Sequence, residues 1–172
     1  MSPLTDFSIY LSGRNQLLLA LAHEITEKLD ACVSNPVSHE PRVRASDLMW
    51  LWTLGAYEVT RTICQARECF SDRFYRDVAD LKLDLERVRV PNTKMEKIKY
   101  DRKAPAIPVP SNRAPDAWDD ANKDLLVGDP VKAVSARSLL RHYDRVMSSL
   151  TVEDVKMSHE DSFAAPARSP SG

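Results

Sequence analysis

Glu58, Arg61, Gln65 and Glu68 follow one another at steps of three, four and three. On a helix, that spacing lines all four along one stripe. An acid beside a guanidinium on such a stripe could form a polar groove that binds a ligand. The plainer outcome is a solvated face with one Glu–Arg pair, contributing about 0.3 kcal/mol. The pair follows directly on an apolar run, where a charge is readily desolvated and needs a partner. A second charged group is the run KMEKIKYDRK. Lys94, Lys97, Lys99, Arg102 and Lys103 outnumber Glu96 and Asp101 there, and Tyr100 is the one aromatic among them. Such a run can contact nucleic-acid phosphates. It can equally meet the acidic residues that follow, Asp116, Asp119, Asp120 and Asp124.

Metal and nucleotide chemistry find little support. His23, Glu24 and Glu27 share one neighbourhood, but a di-metal site in a helical bundle needs Glu-x-x-His pairs on two helices. Cys64 and Cys69 lack zinc spacing and a second pair. Four scattered glycines cannot supply a phosphate-cradling loop. No metal and no cofactor are expected.

The segment RSLLRH, Arg137 to His142, carries the remaining candidate. A histidine can move a proton from a ribose 2'-hydroxyl near neutral pH, and a guanidinium can hold the scissile phosphate. Arginine, four residues, then histidine on a late helix resembles the short motif of HEPN domains, compact helical bundles that include many metal-independent ribonucleases. The resemblance covers this motif and the general helical plan. It implies Arg137 and His142 as catalytic residues, and RNA as substrate or, in a nuclease-dead relative, as ligand. Five steps along an ideal helix set the two about 140° apart, so a frayed first turn or a second copy would have to bring them together.

These residues need elements to carry them. Residues 12–33 predict a first helix capped by Ser12, with Leu18, Ala22, Ile25, Leu29 and Cys32 on one face. Asn35-Pro36 ends it, and residues 34–44 read as a loop. A second helix starts near Ser46 or Asp47 and runs towards Phe70. Leu48, Trp52, Gly55, Val59, Ile63, Ala66 and Phe70 form one face. Trp50, Leu51 and Leu54 make its first turns apolar all round, which predicts a helix buried centrally among others. The uncharged run Leu48–Tyr57 is about half of the roughly 20 residues needed to cross a bilayer. A third helix begins at Ser71 or Asp72, with Phe74, Val78, Leu81, Leu85 and Val88 inward and Arg76, Asp80, Asp84 and Arg87 outward; Pro91 should stop it.

Residues 91–130 lose helical periodicity and gather Pro105, Pro108, Pro110 and Pro115. Met95-Ile98-Tyr100 and Leu125-Leu126-Val127 are short apolar pieces that could dock on the helices as a small hairpin. A last helix spans about Ser135 to Leu150, with Leu139, Tyr143, Val146 and Leu150 as its stripe. Residues 151–172 lack periodicity and read as a disordered tail.

With 172 residues and a formal net charge of −1, the chain fits one domain with no global field to draw it onto nucleic acid or membrane. Three cysteines inside helical patterns argue against a disulfide framework. No signal peptide is visible, so a reducing, cytoplasmic compartment is expected. The fold class is all-α: a bundle of four main helices in residues 1–150, with a Pro-rich insertion between helices three and four. Two functions compete. One is an intracellular interaction or regulatory protein without enzymatic activity, binding a protein partner or itself through an exposed apolar patch. The other is the HEPN-like ribonuclease or RNA-binding relative.

Overall fold

A computed structural model of the chain describes residues 2–94, 103, 105, 107–108, 116–129 and 131–164. Within them the protein is predominantly helical. The short α1 (Leu4–Phe7) leads into α2 (Ile9–Ser34), α3 (Glu40–Gln65) and α4 (Asp72–Lys94). Strands β1 (Asp116–Asp119), β2 (Asp124–Val127) and β3 (Val134–Ser135) precede α5 (Ala136–Ser148), and the short α6 (His159–Ala164) closes the described chain. The long helices pack in sequence, α2 on α3, α3 on α4 and α4 on α5, and α5 returns to touch α2.

The expected inward stripes are the core. Ile25 and Leu29 of α2, Trp52 and Ile63 of α3, Phe74, Val78, Leu81, Leu85 and Val88 of α4, and Leu139 and Tyr143 of α5 are buried. Trp52 joins three helices. Its ring meets Tyr143 edge-on at 5.3 Å, and its Nε1 donates to the Leu18 carbonyl at 3.1 Å. The Tyr143 hydroxyl donates to Asn15 Oδ1 at 2.9 Å, so each buried polar tip has a partner. Thr53 and Thr60, also buried, return their hydroxyls to the Met49 and Ala56 carbonyls one turn back. Gly55 lets α2 and α3 come close, since a Cβ there would stand 2.8 Å from Leu18 Cδ2.

Helix boundaries shift from expectation for local reasons. Helix α2 starts earlier because Ser8, not Ser12, is its cap, accepting from the Leu11 amide at 3.2 Å. Helix α3 begins at Glu40, not near Ser46, with Pro41 in its first turn, where a missing N–H costs nothing. Ser71 caps α4, accepting from the Phe74 amide at 3.2 Å. The same helix runs through Pro91 to Lys94 rather than stopping at the proline.

Two regions expected to be irregular have structure. Strands β1, β2 and β3 form an antiparallel sheet in that order, with Asp116 opposite Val127 and Leu126 opposite Ser135. Leu125 and Val127 are buried, which docks the sheet on the helices. Gly128 turns at φ +96°, and a Cβ there would stand 3.3 Å from the Arg87 carbonyl, so the loop after β2 lies against α4. Residues 151–164 are the second region. Val155 bridges to Phe70, the Ser71 amide donates to the Asp154 carbonyl at 2.8 Å, and the Lys156 amide donates to the Cys69 carbonyl at 2.8 Å. Residues 165–172 lie outside the described residues.

Candidate functional site

The Arg137–His142 pair sits on α5, and each member already has a carboxylate. Ser135 caps α5, accepting from the Ser138 amide at 3.0 Å. Buried Asp124 underpins that turn: it accepts from Ser135 Oγ, from the Leu125 amide at 2.8 Å and from the Arg137 amide at 3.4 Å. The Arg137 guanidinium reaches across to Asp30 at the end of α2, 2.8 Å away, and lies 3.9 Å from Asp124. His142 turns to α4 instead, with Nδ1 3.2 Å from Asp84 Oδ2, while the other Asp84 oxygen takes Arg87 at 3.0 Å. The Arg137 and His142 side chains are 21 % and 22 % exposed and share no partner among the described residues. Arg137 therefore clamps α2, β2 and the first turn of α5 together, and His142 ties α5 to α4.

The Glu58–Arg61 pair does form, with Arg61 Nη2 2.7 Å from Glu58 Oε2 on the open surface. Glu58 also lines a groove between α2 and α3. Its walls are apolar: Tyr10, Leu17 and Leu21 on α2, Leu51 and Val59 on α3, with Leu18 and Gly55 at the point of closest approach. The groove holds about 480 Å³. Large apolar side chains stand open along it: Tyr10 is 69 % exposed, Leu17 58 % and Leu51 50 %. Trp50 is also exposed. Helix α3 is thus not buried on all sides, contrary to the expectation from its apolar first turns. One flank faces the core and the other faces outward. The sequence signal for this face was Tyr10, Leu17 and Leu21, spaced seven and four, which lie outside the first helix's main stripe.

Arg14 lines the same groove. It lies over the Tyr10 ring, 4.9 Å from its centroid, and its Nη2 donates to the Tyr10 hydroxyl at 2.7 Å. No carboxylate pairs with it among the described residues.

Other candidates separate. Lys97, Lys99 and Arg102 of the basic run lie outside the described residues, Lys94 ends α4, and Lys103 is exposed. His23 pairs with Glu27 at 3.4 Å on the surface. Among the described residues no three His, Cys, Asp or Glu side chains gather as metal ligands, and no helix is long and apolar enough to cross a membrane. Cys32, Cys64 and Cys69 are free, and burial pushes all three thiols up, which disfavours the nucleophilic thiolate.

No family model matches the chain, and comparison with curated proteins and with solved structures finds no match.

Proposed function

We propose that this chain is an intracellular, non-enzymatic interaction protein, built as one four-helix bundle, that pairs with a second copy of itself through the α2–α3 face. The observation that carries the proposal is the open apolar groove whose rim exposes Tyr10, Leu17 and Leu51. A contiguous apolar patch on a folded surface is characteristic of an interface. Charge favours a second copy. In a two-fold interface, residue i meets j while j meets i. Arg14 and Glu58 face the same groove from opposite helices, so a two-fold pairing can set each guanidinium against the other copy's carboxylate. Glu58 keeps acceptor capacity beyond its bond to Arg61.

The three free cysteines suit a reducing compartment. A HEPN-like ribonuclease would need Arg137 and His142 on one phosphate, and each instead holds a separate carboxylate.

Sedimentation velocity is the test. The wild-type chain should sediment at twice its own mass at tens of micromolar, and Leu17→Glu and Leu51→Glu should each return it to the monomer with an unchanged circular dichroism spectrum. A wild type that stays monomeric over that range refutes self-association. A dimer that both substitutions leave intact refutes the α2–α3 face as its interface.

A further inference from the structure

A second cavity lies far along the molecule from the apolar groove, where the end of α2 and the start of α3 meet the β1–β2 hairpin. It holds about 270 Å³, just under the roughly 300–1,000 Å³ typical of small-molecule sites. Cys32, Val33 and Pro36 form an apolar floor, while the lining as a whole is more polar than apolar and includes Ser38 and Asp120. Its walls are Trp118 of β1 and two cations, Arg42 of α3 and Lys123 at the hairpin tip.

Each wall is held in place. Ser46 of α3 donates to Asp116, which ties β1 to the helix. The Trp118 indole donates to Asp120 Oδ1 at 3.1 Å, and Arg42 lies over the Trp118 ring, 5.9 Å from its centroid. The other Arg42 contact is with His39 Nδ1 at 2.9 Å. An arginine has only donors, so that ring nitrogen is the acceptor and contributes no negative charge. Among the described residues no carboxylate neutralises Arg42. Lys123 meets Asp120, which also lines the pocket, at 3.7 Å. The pocket thus carries two cations against one exposed carboxylate. Lys123 also has φ +52°, and it alone of the described non-glycine residues adopts a positive φ. That region suits glycine or asparagine better than lysine, so the turn does not itself call for the side chain that stands there.

We propose that this pocket binds a small aromatic carboxylate. The flat ring lies against the Trp118 indole and the apolar floor, and the carboxylate takes the Arg42 fork, with Lys123 closing from the rim. A guanidinium fork matches a carboxylate in geometry as well as charge. Neutral aromatics lack the group that Arg42 selects, and aliphatic acids lack the stacking face.

Isothermal titration of the full chain with benzoate tests this, with benzyl alcohol as the neutral probe and acetate as the ringless one. Benzoate should bind at one site per chain and change Trp118 fluorescence, and the other two should bind at least about tenfold more weakly. Arg42→Gln and Lys123→Gly should each weaken benzoate by about tenfold. The second substitution suits the local backbone, so a loss of binding there cannot be assigned to misfolding. The proposal fails if benzoate does not bind at millimolar concentration, or if benzyl alcohol binds as well. It also fails if both substitutions leave benzoate affinity unchanged.

Discussion

Helix α5 and the outer flank of α2–α3 differ in what holds their side chains. Around α5 sit the groups that look reactive, Arg137 and His142, and both are held by carboxylates of neighbouring elements, Asp30 and Asp84. Along α2–α3 sit groups that look like core, Tyr10, Leu17, Trp50 and Leu51, and they are exposed. A charged side chain becomes part of the scaffold when it is half-buried and paired, since leaving it unpaired there would cost several kcal/mol. An apolar side chain becomes a candidate for binding when its helix has more apolar positions than the core can take.

The contrast breaks most sharply at Asp124. This buried carboxylate accepts from the Ser135 hydroxyl and from the Leu125 and Arg137 amides. Asp124→Ala should lower stability by about 3 kcal/mol, because it leaves several donors unsatisfied beneath α5. Arg137→Ala should cost about 1 kcal/mol, removing a half-exposed pair and some packing of the side-chain stem. Urea unfolding followed by circular dichroism measures both. A neutral Arg137→Ala would show that the Arg137 ion pairs contribute nothing to stability.

A second paired carboxylate gives the contrast a pH dependence. Asp154 is buried at the junction of α4 with the C-terminal segment. Burial alone would raise its pKa; hydrogen bonds from Ser71, Thr151 and Arg73 overcome this and hold it at about 2. A depressed folded-state pKa contributes stability above the ordinary carboxylate pKa and loses it as pH falls through the folded value. The contribution, on the order of 2 kcal/mol, is therefore complete at neutral pH and fades between about pH 4 and pH 2. Asp154→Asn should remove most of it at pH 7, and the wild-type and variant stability curves should converge towards pH 2. Curves that stay parallel across that window would mean that the Asp154 charge contributes nothing.

How legible these features were follows from their range along the chain. The inward stripe of α4 and its start at Ser71 were readable because both are settled within a turn or two of their own helix. The sheet was not, because strands of four, four and two residues are too short to establish an alternating pattern. The apolar Leu125–Val127 piece hinted at it; Met95, Ile98 and Tyr100, the other half of the expected hairpin, lie outside the described residues. Order in residues 151–164 was hidden for a different reason: Asp154 and Val155 find partners at Ser71 and Phe70, far back in the sequence. Pro91 misled because a proline lacks the amide that would reach the carbonyl four residues back, a loss that usually ends a helix, yet α4 continues three residues past it. The Glu58–Arg61 pair was predictable from spacing alone, whereas its place on the rim of an apolar groove depended on α2, to which no local pattern in α3 refers. Arg137 and His142 are the converse case. Their residue types suggested chemistry, whereas their pairing with Asp30, Asp124 and Asp84 depends on elements to which no local pattern in α5 refers.

The smallest expected effect lies at the hairpin tip and has the opposite sign from the others. Lys123 occupies a left-handed backbone conformation that costs a β-carbon-bearing residue about 1 kcal/mol relative to glycine. Glycine gives back part of that by widening the unfolded ensemble. Lys123→Gly should therefore raise stability by about 0.5 kcal/mol, a shift in the urea midpoint with no change of slope. Its ion pair with Asp120 is exposed and offsets little of this. A variant that is less stable than wild type would show that the Lys123 side chain holds the hairpin together, placing it with Arg137 among residues whose charge serves the fold. A more stable variant leaves the lysine with no structural task to account for its strained backbone, as expected of a group whose partner is a ligand.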